Sequence, residues 1–315
     1  MGRPKKINPI TQPVISSTVQ DDFIPPPKFE LDDTEEESDI ELLKILKKVA
    51  NKHQVAMLAM MAPIYGKKTN PVDLETASIG QNDELNIEAS VKAIKEKSDT
   101  KKLFLLIESP GGLVSSSYKI ASYLRDNFTE ITVFIIHQAM SGGALISMTG
   151  NKVVMEEMAC LSPIDIQIPY KGNWVSVNRM SSALTRLREF FTTKTPDQVP
   201  YPYVSLVDKL DPILFDDWAS KTAQMSTYAA EILSKSGYEQ NKIVDVVINF
   251  VYTTYPHSFI INKSKAAEYG LCIQDSKEWT NEVNAMRWWL NKYLKLANTN
   301  HYIRYITPDI QNEQQ

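Results

Sequence analysis

Residues 103–112 read Leu103-Phe104-Leu105-Leu106-Ile107-Glu108-Ser109-Pro110-Gly111-Gly112, an apolar run that ends in a paired-glycine turn. An unbroken apolar run of strand length, with no polar alternation, is the pattern of a strand covered on both faces. The two glycines let the backbone approach other atoms closely and leave N–H groups uncovered. Val114–Asn127 then reads as a helix with Tyr118, Ile120, Ala121 and Leu124 turned inward. Strand, glycine turn and helix N-terminus together suit a developing negative charge. The same letters also describe a plain strand-to-helix turn.

Working outward, the pattern repeats. Ile131–Ile136 is a second buried strand, followed by Ala139-Met140-Ser141-Gly142-Gly143-Ala144 and a helix over Gly142–Thr149. Upstream lie a strand at Val55–Met61 and a helix at Asp83–Lys97; downstream, Lys152–Met155 reads as a strand and Ser162–Ile168 as a strand-edge segment. Strands alternating with helices predict an α/β fold with a parallel sheet and crossover helices. The remainder is mostly helical: Arg179–Phe191, Pro212–Lys235, Lys242–Val251, a short helix at Ser264–Tyr269 stopped by Gly270, and a final amphipathic segment with Trp288, Trp289, Tyr293 and Leu296.

Residues 1–38 read as a disordered tail with scattered prolines, the run Pro25-Pro26-Pro27 and an acidic stretch, and Ser38-Asp39-Ile40-Glu41 as a helix start. The expected organisation is therefore tail 1–38, a folded α/β domain over 39–280, and an amphipathic helix and tail over 281–315. The 315 residues carry a net charge of −4 and are 43% hydrophobic, which gives no reason to expect nucleic-acid binding. Two cysteines without a CxxC pair argue against a disulfide framework or a cysteine zinc site. No run approaches the ~20 apolar residues that span a bilayer, and no apolar stretch follows Lys5 and Lys6. No metal, cofactor or transmembrane segment is expected, and the expected compartment is the cytoplasm.

Chemistry concentrates at Ser141, which sits on a sharp turn between strand and helix where the following N–H can help hold an oxyanion. The surroundings are not the GxSxG of α/β-hydrolases, and a serine there can also serve as a helix cap. A serine nucleophile needs a base. His257 stands in a loop before Phe259-Ile260-Ile261, and Asp165 lies among apolar residues where a carboxylate requires a partner. His137 reads as a buried histidine bonded to backbone; His53 and His301 have no supporting context. Ser109-Pro110-Gly111-Gly112 is not a P-loop, since no Gly-Lys-Ser/Thr follows.

Ile107-Glu108-Ser109-Pro110-Gly111-Gly112-Leu113-Val114 resembles the glycine-rich strand end of Clp proteases, with Ser141 at the spacing of their nucleophile and Ala266–Leu271 like their closing helix and turn. The chain is most similar to the serine dehydrogenase proteinase family of the Clp-protease/crotonase superfamily, which is related to signal-peptide peptidase A. That family's HYAMSGG-like stretch appears as His137–Gly143, its LGPVDPQ-like segment as Leu161–Gln167 and its HDYPI-like stretch as His257–Ile261. The resemblance covers roughly residues 40–275. Ser258, Ile260 and Ile166 depart from the family's aspartate, proline and proline.

The resemblance implies repeated β/α units with protruding helices and homo-oligomeric assembly. It also implies a serine endopeptidase acting on peptide or unfolded protein, independent of ATP in itself. Clp proteases draw their histidine from the region of Asp165 and their aspartate from near His257, and the expectation here is that the two partners have exchanged positions, His257 taking the proton from Ser141 and Asp165 orienting His257. Ser141, His257 and Asp165 are the expected catalytic residues, with Lys221 as the alternative base of a Ser-Lys dyad and Lys171 and Lys194 as weaker ones. Gly112 and Gly142 would form the oxyanion hole, and Gly111 and Leu113 would contact substrate. A bulky residue at Gly112 is expected to block the substrate's approach. The competing functions are a crotonase-type acyl-thioester enzyme and an inactive scaffold that kept the fold.

Overall fold

A computed structural model describes residues 23–26, 35–63, 77–170, 173–192, 198, 212–253, 255–295 and 301–309. Its first half alternates strongly. Helix α1 (Glu35–His53) leads to β1 (Ala56–Met61); α2 (Gln81–Lys97), β2 (Lys102–Glu108), α3 (Val114–Asn127) and β3 (Glu130–Ile135) follow. A short β4 (Gln138–Ala139) precedes α4 (Gly142–Ser147) and β5 (Lys152–Met155). Then come β6 (Cys160–Leu161), the hairpin β7 (Gln167–Tyr170) and β8 (Asn173–Ser176), and helices α5 (Val177–Thr192), α6 (Pro212–Lys235) and α7 (Gln240–Phe250). The chain closes through β9 (Ile261–Asn262), α8 (Lys263–Glu268), β10 (Ile273–Asp275), α9 (Thr280–Lys295) and β11 (Tyr302–Ile306).

Six strands form the main sheet in the order β10-β5-β3-β2-β1-β11, parallel throughout except for the antiparallel edge pair β1–β11. The architecture is the α/β, parallel-rich one that the alternating pattern predicts. The strands are buried on both faces, so their period of two divides one apolar run between two cores. Leu58, Leu105 and Val133 enter the core under α2, α3, α6 and α7. Met57, Phe104, Leu106 and Phe134 enter the one under α1 and α9.

Boundaries differ where hydrogen bonds decide them. Helix α1 begins at Glu35, ahead of the expected Ser38. The expected strand edge over 162–168 splits: β6 ends at Leu161 and β7 starts at Gln167, with Pro163, which has no N–H to give a ladder, between them. The C-terminal segment set apart in the sequence reading supplies α9 and the antiparallel strand β11, whose Ile303 sits opposite Met60. The proline-rich loop around Pro196–Pro202 lies outside the described residues apart from residue 198.

Helices α1 and α9 are clamped by Glu282. Its carboxylate, 6% exposed, lies 2.6 Å from His53 Nε2 and accepts a hydrogen bond from Lys52 at 3.3 Å. Burial alone would raise this carboxyl. The bond to His53, a backbone hydrogen bond and the charges of Lys52 and His53 outweigh burial and hold it below the ordinary value. A depressed folded-state value stabilises the fold above the unfolded carboxyl's pKa of about 4.3 and is lost as pH falls through the depressed value. Glu282→Gln is therefore expected to lower thermal stability at neutral pH and to flatten the acid limb of a melting-temperature profile taken between pH 7 and 3. An acid limb as steep as the wild type's would contradict this clamp.

Candidate active site

The site grows from a junction of two strand ends. β2 is followed by Ser109, which forms an isolated parallel bridge with Ala139: Ser109 N–H donates to Gln138 C=O at 3.0 Å, and Met140 N–H donates to Ser109 C=O at 2.8 Å. This bridge extends the β2 backbone alongside the segment carrying Ser141. Beyond it the chain turns through Gly111 (φ 103°) and Gly112 (φ 154°), conformations that side-chain-bearing residues rarely adopt. The Ser109 hydroxyl accepts the Gly111 N–H at 3.1 Å.

Both glycines are required by close approach. A Cβ on Gly111 would lie 2.6 Å from Ser141 Cβ and 2.9 Å from Met140 O. A Cβ on Gly112 would lie 2.2 Å from Ile79 N and 2.4 Å from Ile79 O. Ile79 is paired with this turn: its N–H donates to Gly111 C=O at 2.8 Å and its C=O accepts Leu113 N–H at 2.9 Å. Such pairing turns the N–H of the intervening Gly112 to the opposite side, where a Cβ built on Gly142 would sit 3.4 Å from it. Among the described residues, none accepts a hydrogen bond from the N–H of Gly112 or Gly142. The expectation that bulk at Gly112 would block substrate is corrected: it would strike Ile79 first. The backbone groups that join Gly111 and Leu113 to Ile79 are already used within the chain, while the Leu113 side chain is 55% exposed.

Ser141 has φ 49° and ψ −116°, far from the extended conformation of a helix cap, and its side chain makes no capping hydrogen bond. The helix-cap reading therefore fails. A non-glycine residue in such a conformation costs on the order of 1–3 kcal/mol and persists only where its surroundings enforce it. Here the enforcement is visible. Ser141 N–H donates to Ser162 Oγ at 2.8 Å, and that buried hydroxyl donates in turn to Pro163 C=O at 3.1 Å.

A small three-stranded sheet, in the order β4-β6-β9, brings three distant segments together. β4 and β6 run parallel and β9 antiparallel to β6. Ser141 after β4, Asp165 after β6 and His257 before β9 consequently emerge at the same end. His257 Nδ1 lies 2.6 Å from Asp165 Oδ1, and Gln167 Nε2 donates to Asp165 Oδ2 at 3.0 Å. The Asp165 side chain is fully buried and that of His257 is one-third exposed. The buried carboxylate thus has a partner on each oxygen, as its desolvation requires. Ser141 Oγ makes no hydrogen bond to His257 in this arrangement.

The other candidates fall elsewhere. Lys221 on α6 is 41% exposed and ion-paired at 2.6 Å with Asp217, one turn back on its own helix. Lys171 and Lys194 lie outside the described residues. His53 is engaged by Glu282 and His301 by Asp83. Among the described residues, no group of three His, Cys, Asp or Glu side chains has the geometry to hold a metal ion.

Sequence reasoning missed Ser162 and Glu108. Glu108 is completely buried and accepts the Gln138 N–H at 3.1 Å, with His137 Nδ1 3.6 Å away. His137 is not the buried, backbone-bonded residue expected: its side chain is 55% exposed, and its bond is to a carboxylate. The available signal was an acidic residue closing an apolar strand, a position that demands a partner.

Comparison with known proteins adds an independent line. Residues 39–315 match the family described as ClpP-like SDH-type serine proteinase. An uncharacterized protein of Methanocaldococcus jannaschii is 34% identical over 233 residues, 73% of this chain and 72% of that protein. A second uncharacterized protein of the same organism is 28% identical over 184 residues, 58% of this chain and 56% of its own length. Two solved mutants of 1510-N, a membrane-bound stomatin-specific protease, each cover 63% of this chain with a TM-score of 0.40. They are 10% and 11% identical, and 74% and 70% of their own chains are covered.

Two outcomes test this geometry. Gly112→Ala is expected to lower the melting temperature through its collision with Ile79, whereas Gly80→Ala, whose Cβ would have no heavy atom nearer than 3.9 Å, is not; equal effects would contradict the packing. The Glu108 bond raises the His137 imidazole above its ordinary value, against the effect of burial. That pair therefore stabilises the fold below about pH 6.5 and ceases to as pH rises through the raised value. An NMR titration should find the His137 value raised in the wild type and returned towards about 6.5 in Glu108→Gln.

Proposed function

We propose that this chain, which belongs to the ClpP-like SDH-type serine proteinase family, hydrolyses peptide bonds through an acyl-enzyme on Ser141. The observation that carries the reading is the 2.6 Å pair of His257 with the fully buried Asp165, at the strand ends where Ser141 stands in a strained backbone conformation. Asp165 occupies Nδ1, which leaves Nε2 as the ring nitrogen to accept a proton. Buried beneath the ring, Asp165 fixes the tautomer and stabilises the imidazolium as it forms.

On this reading Ser141 Oγ transfers its proton to His257 Nε2 and attacks the substrate carbonyl carbon. The oxyanion that develops faces the N–H groups of Gly112 and Gly142, which have no acceptor among the described residues. Their preorganisation is what makes such donors effective: loss of one typically costs about 10²–10³-fold in turnover. The tetrahedral species collapses, the amine leaves with the proton from His257, and water activated by the same ring releases the acyl group. Contacts in which catalytic groups stand apart without substrate commonly tighten on binding, so the missing Ser141–His257 bond is to be closed by an occupied site.

The proposed substrate is an extended segment of peptide or unfolded protein, cut internally. The side of Gly112 turned from Ile79 presents its N–H and C=O to a strand-like ligand, and the exposed Leu113 side chain lies beside it. The chemistry as drawn consumes no nucleotide. Homo-oligomeric assembly is part of the proposal: Val244, Ile248 and Tyr252, spaced four apart along α7 and its end, are 45%, 53% and 51% exposed, an apolar stripe suited to a neighbouring copy. Lys221 is disfavoured as base, because a lysine serving that role is stripped of water and counter-charge and this one has both.

A fluorophosphonate labelling experiment read by intact mass tests the assignment. The wild type is expected to gain one adduct that Ser141→Ala lacks. His257→Ala should abolish labelling at neutral pH, Asp165→Asn should slow it by up to about 10⁴-fold, and Lys221→Met should leave it unchanged. Wild-type labelling of a folded His257→Ala protein would sink the triad, and an unlabelled, folded wild type would favour the scaffold or acyl-thioester readings.

A further inference from the structure

Among the described residues, the core beneath α1 and α9 takes in one from the N-terminal side of α1, Ile24. Ile24 is 4% exposed and packs in that core, whereas Phe23 is 57% exposed and Pro25 and Pro26 stand in solvent. A single buried side chain between exposed neighbours is how a short linear segment anchors itself to a groove.

Helix α9 reads the backbone of this segment on both sides. Ile24 N–H donates to Asn281 Oδ1 at 2.8 Å, Asn284 Nδ2 donates to Ile24 C=O at 2.6 Å, and Trp288 Nε1 donates to Pro25 C=O at 2.9 Å. Positions 281, 284 and 288 share one face of a helix. With the segment in place Asn284 is 3% exposed, so its amide is shielded from water and takes its acceptor from the Ile24 carbonyl. The occupant matches chemically. Proline has no N–H and therefore leaves no donor unmatched, and a proline run holds the extended shape at little entropic cost.

We propose that this face of α9 is a docking groove for an extended Ile-Pro-Pro peptide, and that its occupant is the chain's own Phe23–Pro26 segment, held as a clip that releases and rebinds. Among the described residues no strand pairing ties the segment down, and the Ile24 side chain and three hydrogen bonds hold it. The chain enters the described structure on the α1–α9 side of the sheet, while α4, β6 and β9, which carry the proposed active site, pack into the core on the other side. The clip thus holds Phe23–Pro26 on the face of the sheet opposite the proposed active site, and its operation does not depend on the proposed chemistry.

The test uses the full chain and a fluorescein-labelled peptide of residues 20–28, with binding followed by anisotropy. In the wild type the tethered segment competes at an effective concentration of about millimolar, so Ile24→Asp, which empties the groove, is expected to bind the peptide about tenfold or more tightly than the wild type. Adding Asn284→Ala to Ile24→Asp should weaken that binding about tenfold, the usual loss for a buried hydrogen-bonding partner. Equal binding by wild type and Ile24→Asp, or no effect of Asn284→Ala, would overturn the proposal. A concentration-dependent wild-type dimer that Ile24→Asp dissolves would also overturn it, by assigning the segment to a second copy's groove. Should Ile24→Asp not fold, hydrogen exchange of Asn281→Ala decides: faster exchange at the Ile24 amide with β2 amides unchanged supports the clip, and unchanged exchange at Ile24 rejects it. Fluorophosphonate labelling of Ser141 is expected to be the same in every variant, so a failed clip and a failed triad give different results.

Discussion

The whole site depends on backbone meeting backbone where β2 and β4 end. Ser109 exchanges hydrogen bonds with Gln138 and Met140, and this one bridge decides which atoms face each other for several residues in both directions. It sets Gly111 against Ser141 with no room for a side chain, and it brings Gly112 beside Gly142. Ile79 then takes the hydrogen-bonding groups of Gly111 and Leu113 that point the other way. What remains uncovered is the inward N–H of Gly112. The apparent vacancy in the hydrogen-bonding pattern is a consequence of full satisfaction around it, which is how a fold can preorganise a donor without leaving a flexible loop to supply it.

The rigidity of that junction explains why the strain at Ser141 is tolerated. A positive φ at a serine would relax if the flanking atoms allowed it. Three contacts oppose this: the Ser162 hydroxyl on the Ser141 N–H, the helix α4 that begins immediately after, and the Ser117 side chain, 2.2 Å from where a Cβ on Gly142 would stand. The two cores on either side of the sheet supply the free energy that keeps these contacts in place. The segment bearing Ser141 is held both by these polar contacts and by Ala139, Ala144, Leu145 and Ile146, which are buried in the core beneath the sheet.

How much of this was legible in the letters follows from the range of each interaction. Val114–Asn127, Lys152–Met155 and Pro212–Lys235 match their elements because local periodicity and buried apolar runs fix them. Ser141 stood out because glycines after a strand end mark a tight turn. Ser162 was invisible, since nothing in a serine before a proline tells that its hydroxyl serves a residue 21 positions earlier. Glu108 was hidden by its position inside the fold-defining stretch, where it read as the start of a turn. Ile24 was lost in a tail whose composition predicts disorder; composition averages over a segment, whereas docking needs only one apolar side chain and a helix face elsewhere to receive it.

The strand order of the small sheet bears on the exchange of Asp165 and His257, relative to the Clp-protease arrangement, that the proposed triad requires. β6 is the central strand, flanked by β4 and β9, so Asp165 lies between the segments that carry Ser141 and His257. A carboxylate there can be deeply buried, and it is: its side chain has no exposure, while the His257 ring above it keeps a third. Reversing the two would place the proton-transferring ring in the central position and the orienting carboxylate on the outer loop. Both arrangements satisfy the geometry of a triad, because the chemistry asks only that base and orienter meet in front of the nucleophile. They differ in what must move. Asp165 is anchored by Gln167, and Ile164 N–H is bonded to Phe250 C=O at 2.9 Å, so the central segment is fixed. On the proposed triad, the approach of His257 to Ser141 falls to the outer loop, where Tyr255 and Phe259 stack with ring centroids 4.2 Å apart.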